Sequence, residues 1–270
     1  MATRTVIRTF VKVLGIALLL ALLAVIAFYF SQVRVADPQG YYQQNPLMPG
    51  SPTPITTPQA ELAQRGALQQ NARERVESTG ATRGHKKQVL FGDTHVHTTW
   101  SLDAFMFSLP IMYGSKGAYP PAAACDYARY VSQLDFYFLT DHAESYTAQR
   151  WRDAQESVRR CNALAGDPSN PDLAAFIGFE WSQIGNIPEQ HFGHNNVLFR
   201  DTDEALLPAR PIGAAGVASN GLRGGKSGNS GLGMLQWVDM GNRSYYQALN
   251  RFMSELGESP DCPSGVNSRE

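Results

Sequence analysis

The chain has 270 residues, of which 43% are hydrophobic, so it is long enough for one or two domains and apolar enough to bury one sizeable core. Its formal net charge is -1 and it has no block of like charge, which excludes the basic stripe of a typical nucleic-acid-binding protein. We therefore expect a globular protein without a nucleic-acid partner.

An uncharged apolar run lies near the N-terminus, from Val13 to Phe30. As an α-helix with a rise of ~1.5 Å per residue it would span ~27 Å, close to the thickness of a bilayer hydrocarbon core. Three basic residues precede the run, whereas Arg34 is almost the sole positive charge that follows it closely. The positive-inside rule then predicts that residues 1–12 are cytoplasmic and that everything after residue 30 lies outside the cytoplasm.

A cleaved signal peptide and a buried helix of a soluble domain are the alternatives for this run. The run is long for a signal peptide, and Phe28, Tyr29 and Phe30 stand where small cleavage-site residues would be expected. We therefore favour an uncleaved signal anchor, a transmembrane helix at residues 13–30.

Two segments separate this helix from the main domain. Residues 31–59 are rich in proline and predict a semi-rigid extended linker. Residues 60–86 consist mostly of helix formers with weak apolar periodicity, which predicts a surface helix and a connector. The main domain is expected at residues 87–270.

Strand and helix patterns alternate from residue 87 onward. Short apolar runs predict strands at 88–93, 135–140, 174–180 and 195–199, and helical spacing predicts helices at 121–134 and 147–165. This α/β order implies a parallel sheet or a barrel, whose functional side chains gather at the C-terminal ends of the strands.

Imidazoles and carboxylates stand at four consecutive strand edges. They are His95, His97, Asp141, His142, Glu180 and His194. Such groups ligate zinc, manganese or iron, and the two rings of a His-x-His on extended backbone share one face. One such residue alone is usually a hydrogen-bonding group, but the joint placement predicts a metal site, with a polar cluster or a site that has lost its metal as alternatives.

Four motifs in this region resemble those of a known superfamily. The stretches DTHVHTTWSLD, LTDH, GFEW and GHNNVLF, in this order, resemble the polymerase and histidinol phosphatase (PHP) superfamily of metal-dependent phosphoesterases, most of all a large and poorly characterised bacterial branch. The resemblance covers residues 88–200. It implies a distorted (β/α)7 barrel with two or three divalent metal ions (Zn, Mn or Fe) at the C-terminal ends of its strands.

The resemblance also implies a ligand set. His95 and His97 would hold one ion and Glu180 would bridge two. The further ligands that it implies are Asp103, His142 and His194.

Three other residues are weaker candidates for this site. Asp93 and Asp141 are expected to accept hydrogen bonds from the ligating imidazoles and so orient them. His191 could assist in the same way or be an ordinary loop histidine.

The resemblance leaves one part of the site without a counterpart. In the superfamily a later Asp-x-His and a further histidine complete the site, yet no histidine follows His194, and the strand signals fall short of seven. We therefore expect the chain to be an N-terminal fragment with a partial barrel, poorly stable and nearly inactive by itself.

Hydrolysis of a phosphoester is the leading functional hypothesis. Clustered divalent ions suit it because they acidify water and neutralise charge on the phosphate and the leaving group. The sequence has neither a Gly-x-Ser-x-Gly elbow nor a catalytic-cysteine signature. We expect a membrane-anchored enzyme acting on a small-molecule or envelope phosphoester. The alternatives are hydrolysis of an amide or sulfate ester at the same site, and a non-catalytic binding or scaffold module.

The cysteines and the glycines allow narrower expectations. Cys125 and Cys161 could form a disulfide between two helices or remain buried thiols, and Cys262 is expected to be free or paired with a residue beyond residue 270. The glycine-rich stretch at 221–233 contains Gly-Gly-Lys-Ser but lacks the flanking strand and helix of a P-loop, so a flexible insertion is expected.

Aromatic side chains flank the expected ligands and could line a pocket or belong to the core. They are Trp100, Phe105, Phe107, Tyr113 and Trp181.

Overall fold

The computed structural model describes residues 2–34, 49–52, 89–113, 119–165, 171–214, 217–223 and 232–256, together with residues 64, 67, 68, 71 and 74. Most of the linker expected at 31–59 and of the helix expected at 60–86 lies outside these residues. So do Cys262 and residues 224–231 of the glycine-rich stretch.

The N-terminal helix α1 comprises Ala2–Arg34. Within it, Thr9–Ile26 has a mean hydropathy of 2.6 and none of it is buried, so by length and composition this helix could cross a membrane. The helix runs on past residue 30 into the expected linker, because no proline interrupts it before residue 38.

Four strands form one curled, half-barrel sheet in the order β1-β2-β3-β4. Their bounds are Gly92–Val96 (β1), Phe136–Leu139 (β2), Ala174–Gln183 (β3) and Gly193–Leu198 (β4). The first three strands are parallel, which confirms the order predicted from the alternating pattern. The described sheet has these four strands, and a closed seven-stranded barrel is not seen in this part of the chain.

The fourth strand departs from the expected parallel sheet, because β4 is antiparallel to β3. Residues 174–177 of β3 pair with β2, and residues 178–183 pair with β4. Gly178 lies where the pairing changes, and a Cβ there would come within 2.6 Å of the Val197 carbonyl oxygen. Glycine is required at this position because the two backbones approach so closely.

The strand bounds also differ from those predicted at the candidate ligands. β1 begins and ends later than the apolar run at 88–93, so His95 lies inside the strand. β4 begins before residue 195, so His194 lies inside it, and Glu180 is followed by three more residues of β3. Pairing with a neighbouring strand, as in the hydrogen bond from Thr140 N to the Val96 carbonyl (2.9 Å), extends each strand beyond its apolar residues.

Seven further helices surround the sheet among the described residues. They are Leu102–Phe107 (α2), Pro110–Tyr113 (α3), Pro121–Asp126 (α4), Ala148–Ala163 (α5), Val217–Leu222 (α6), Leu232–Val238 (α7) and Arg243–Leu256 (α8). The helix predicted at 121–134 is shorter than expected and changes character, because α4 continues as a π-helical turn at Tyr127–Val131. The helix predicted at 147–165 is α5, whose first turn is capped by the Thr147 side chain.

The core lies between these helices and one face of the sheet. Trp151 of α5 is completely buried, and its ring lies 5.2 Å from that of Tyr146 and 6.1 Å from that of Phe179. A disulfide joins Cys125 of α4 to Cys161 of α5, so the paired alternative for these cysteines is confirmed. Helices α4 and α5 are thus joined covalently, and α5 packs against β3 through Trp151.

Candidate metal centre

The sheet and the segments that follow its strands bring the predicted ligands to one place. β1 carries His95 and leads directly to His97, and β3 carries Glu180. Residue His142 follows β2 and forms a parallel bridge with Glu180. The first turn of α2 contributes Asp103, and β4 contributes His194. The joint placement predicted from the sequence is therefore present.

The first candidate ligand group consists of His95, His97 and Glu180. The Nε2 atoms of the two histidines are 2.9 Å apart. Glu180 Oε2 lies 3.0 Å from the His95 nitrogen and 2.8 Å from the His97 nitrogen. Three atoms that can each offer a lone pair therefore form a small triangle.

The second candidate ligand group consists of His97, Asp103 and His142. His142 Nε2 lies 3.2 Å from Asp103 Oδ2, and His97 Nδ1 lies 3.6 Å from Asp103 Oδ1. Glu180 Oε2 is 3.6 Å from His142 Nε2, so this carboxylate also touches the second group. The two groups are adjacent and share His97.

His194 reaches the cluster from the other side of Glu180. Its Nδ1 contacts Glu180 Oε1 and lies 2.8 Å from the hydroxyl of Ser182. The same hydroxyl donates to Glu180 Oε1 (3.0 Å) and lies 3.2 Å from His142 Nδ1. Ser182, which was not foreseen from the sequence, connects two imidazoles to the central carboxylate.

The structure gives Asp141 a different role from the expected one. This buried carboxylate accepts hydrogen bonds from Thr98 N (2.6 Å), Thr98 Oγ1 (2.7 Å) and Ser101 Oγ (2.9 Å), and no described imidazole donates to it. It therefore fixes the backbone that runs from His97 into α2 and does not orient a ring directly.

The other two weak candidates lie at the margin of the site. Asp93 Oδ1 accepts from the backbone N–H of His95 at 2.9 Å, so it also holds a ligand through its main chain. His191 is exposed at the end of the short 3-10 helix Pro188–Gln190, and its described hydrogen bond is from its own N–H to the Pro188 carbonyl. The structure does not bring His191 to the cluster.

The electrostatics of the cluster couple its imidazoles to its carboxylates. Burial alone would lower the pKa of His97, but its contacts with Asp103 and Glu180 raise that pKa to about 10. Burial acts in the opposite sense on the carboxyls. Even so, His142 and His97 hold the pKa of Asp103 well below its usual range and lower the pKa of Glu180 to about 2. Both carboxylates are ionised at neutral pH and attract positive charge.

The donor set fits divalent metal ions. Imidazole nitrogen and carboxylate oxygen are the ligands that zinc, manganese and iron accept, and ligands of a tetrahedral ion with bonds of about 2.0–2.1 Å lie roughly 3.3 Å apart. The separations of 2.8–3.0 Å within the first group are close to this value. A ligating imidazole is neutral, so an ion bound here would displace the proton that the raised pKa keeps on His97.

A second residue that the sequence did not reveal lies behind His142. Glu144 is buried, its Oε1 accepts from Ala214 N (2.7 Å), and its Oε2 has no hydrogen-bond partner among the described residues. That unpaired oxygen lies 3.9 Å from His142 Nδ1. A carboxylate behind a ligating imidazole is a common companion of metal sites, and one water could bridge this distance.

Comparison with known proteins adds one family. The family described as "Protein of unknown function (DUF3604)" matches residues 84–164, less than a third of the chain. The match includes the motif residues around His95 and His142 and ends before β3, so Glu180 lies outside it. No curated protein and no solved structure matches the chain.

Proposed function

We propose that this protein is a membrane-anchored, metal-dependent hydrolase of the PHP type that cleaves phosphoesters outside the cytoplasm. The observation that carries the proposal is the position of Glu180. Its Oε2 lies within 3.6 Å of three imidazole nitrogens, which belong to two adjacent candidate ligand groups. A carboxylate in this position is suited to bridging two divalent ions, as in two-metal phosphoesterases.

The exposure of the ligands favours catalysis over a purely structural metal. The side chains of His95 and His194 are 49% and 50% exposed, whereas that of Glu180 is 2% exposed. The cluster therefore has a buried floor and an open side. A structural site surrounds its ion with protein ligands, but a catalytic site keeps a position open for water or substrate.

Phosphoester hydrolysis matches what these residues can do. Divalent ions held here would acidify water and neutralise charge on the phosphate and the leaving oxygen. In the reaction, water forms a bond to phosphorus, the ester P–O bond breaks, and the leaving oxygen takes up a proton. The chain itself contributes ligand positions, which Asp141 and Ser182 hold in place. No protein nucleophile is required.

Three further observations support the architecture and the location. Three parallel strands with helices between them, in a curled sheet, are compatible with part of a (β/α)7 barrel. The α1 helix could anchor the chain, and three of its four basic residues precede the apolar run. The disulfide between Cys125 and Cys161 is typical of an oxidising compartment.

The test combines metal binding with hydrolysis. The full-length protein, purified in detergent and stripped with chelator, would be loaded with Zn²⁺, Mn²⁺ or Fe²⁺ and given phosphomonoesters and phosphodiesters. We expect hydrolysis that is abolished by chelator and reduced by at least about 100-fold in His95→Ala and His194→Ala. His191→Ala is the matched control, because this nearby histidine does not reach the cluster, and it should retain activity.

Two results would contradict the proposal. Tight metal binding without hydrolysis of any phosphoester would indicate a binding module, or an enzyme for amides or sulfate esters if those are cleaved. Loss of metal binding in His191→Ala but not in His194→Ala would show that the candidate centre is wrongly placed.

A further inference from the structure

A cavity of about 610 Å³ lies beside the candidate metal centre, and His97 and Thr98 belong to its wall. The sheet side of the cavity is formed by Asp93, Val96 and Tyr137. The opposite side is formed by α4 and the π-helical turn that follows it. Its volume falls within the range of small-molecule sites, and it reaches a residue shared by both ligand groups.

The walls are aromatic and apolar. Four tyrosines line the cavity, and small side chains such as Ala123 and Ala124 leave its centre open. The lining tyrosines are Tyr119, Tyr127, Tyr130 and Tyr137. Aromatic rings pack favourably against another ring, and their hydroxyls offer hydrogen bonds to a polar substituent.

The charge of the cavity walls is unfavourable for a phosphate group inside the cavity. Asp93 and Asp126 are the charged lining residues besides His97, and no lysine or arginine lines the cavity in the described part of the chain. The nearest basic residue of the π-helical turn, Arg129, points elsewhere. It pairs with Asp172 at 2.8 Å and donates to the Cys161 carbonyl at 3.1 Å. A polyanionic group would therefore meet two carboxylates, and no lysine or arginine of the described lining would compensate for them.

Hydrogen bonds and an ion pair hold the cavity wall in place and link it to the loop that follows His97. The π-helical turn is wider than an α-helix, and such turns often occur at functional sites. The buried ion pair of Arg129 with Asp172 fixes this turn to the segment that precedes β3. A hydrogen bond from Thr99 N to the Tyr119 carbonyl (2.9 Å) joins the loop after His97 to the cavity wall.

We propose that this cavity receives the leaving group of the substrate and that this group is an uncharged aromatic ring. The preferred substrates are then aryl phosphoesters, with the phosphate at the metal centre and the ring between the tyrosines. This inference rests on the proposed function, because it places the phosphate at the cluster that contains His97.

The test uses two non-hydrolysable probes on the metal-loaded, full-length protein. Phenylphosphonate and methylphosphonate carry the same anionic group but differ in the ring. We expect calorimetry to show phenylphosphonate binding at least about 10-fold tighter than methylphosphonate, since burying a ring between aromatic walls contributes roughly this much. Phenyl phosphate should likewise be hydrolysed with a higher kcat/KM than glycerol phosphate.

Two variants and a control locate the effect. Ala123→Phe places a ring inside the cavity and should remove the preference for phenylphosphonate while leaving methylphosphonate binding within about 2-fold. Tyr127→Leu, at a side chain that is 60% exposed, should weaken phenylphosphonate binding by about 2- to 10-fold without disturbing the fold. Ala163→Phe, at an exposed alanine of α5, should change neither probe. Metal affinity measured for each variant reports whether the centre is intact.

The outcomes separate this inference from the function beneath it. Equal binding of both phosphonates, or an unchanged preference in both Ala123→Phe and Tyr127→Leu, would overturn the cavity assignment and leave the metal-dependent phosphoesterase standing. If neither phosphonate binds the metal-loaded protein and no phosphoester is hydrolysed, both the cavity assignment and the proposed function are overturned.

Discussion

Replacement of Glu180 by glutamine is the most informative single change in the candidate centre. The substitution keeps the size of the side chain and removes its negative charge. Glu180 Oε2 lies 3.0 Å from His95 Nε2 and 2.8 Å from His97 Nε2, and Oε1 accepts from Ser182 Oγ. An amide cannot accept at both ends, and it adds no charge to hold a cation, so divalent metal binding should weaken.

The size of the effect follows from the electrostatics of the cluster. Burial raises the pKa of Glu180, yet its histidine contacts lower it from 4.5 to about 2, which corresponds to a net stabilisation of the ionised form by ~3 kcal/mol. A doubly charged ion in their place should depend on this carboxylate at least as strongly. Since ~1.4 kcal/mol is a factor of ten, we expect Glu180→Gln to raise the metal dissociation constant by on the order of 100-fold.

The metal-free protein should show a matching pH dependence. The pKa of Glu180 is lowered on folding, so its contribution to stability is present above pH 4.5 and is lost as the pH falls towards 2. The pKa of His97 is raised, so its contribution is present below pH 6.5 and is lost as the pH rises towards 10. The variant should therefore lose most stability, relative to the unchanged chain, between about pH 4.5 and 6.5.

Calorimetric titration with Zn²⁺ or Mn²⁺ and urea unfolding in chelator at several pH values measure these effects. Glu189→Gln is the matched control, because Glu189 is exposed on a short 3-10 helix of the segment joining β3 to β4. A metal affinity in Glu180→Gln within about 3-fold of the unchanged chain would refute the argument that Glu180 holds the ions.

Three other predictions concern Glu144, the disulfide and the orientation of α1. Glu144→Gln removes the charge of the buried, unpaired oxygen near His142 and should weaken metal binding by roughly 10-fold in the same titration. Cys161→Ser opens a disulfide that links residues 36 apart and should lower the free energy of unfolding by about 4 kcal/mol in urea, and an unchanged midpoint would contradict the linkage. A protease added outside spheroplasts should digest the chain beyond Arg34 if α1 spans the membrane as its flanking charges indicate; protection of that region would reverse the orientation.

The sequence predicted the core of the candidate centre because its key spacing is local. His95 and His97 stand two residues apart on extended backbone, so their rings face the same side whatever the neighbouring strands do. The parallel order of the first three strands was also predictable, since helical segments separate them and require crossovers. The parallel order places the C-terminal ends of β1 and β2 beside β3, which carries Glu180.

The supporting residues could not be predicted, because their partners are distant in sequence or depend on register. Ser182 meets His194 only because β4 turns back antiparallel to β3, a pairing that the apolar pattern of either strand does not indicate. Glu144 is held by Ala214, which lies 70 residues later in a segment without regular structure. Neither contact leaves a periodic signal in the sequence.

The sequence also could not show which aromatic side chains line a cavity. Trp100 and Phe105 could either line a pocket or belong to the core by sequence, and the structure shows both completely buried in the core. Phe107 is exposed, and Trp181 is half-buried against Phe192 of the β3–β4 connection. Of the tyrosines that line the cavity, Tyr127 and Tyr130 come from the π-helical turn, Tyr137 comes from β2, and Tyr119 precedes α4. Their positions relative to the centre are set by packing.

The hydrogen bonds of Asp141 hold the candidate metal centre in place through contacts that need no bound ion. This carboxylate is completely buried and accepts from Thr98 and Ser101, so the loop between His97 and α2 is fixed by contacts that involve no ligand atom. The main-chain N–H of His142 donates to the same serine hydroxyl at 3.0 Å, which places the second ligand group relative to the first. Ligands held in this way lose little conformational freedom when an ion arrives. Metal binding should then proceed without folding of the loop, and the geometry that Glu180 requires for contact with both groups is supplied by the fold itself.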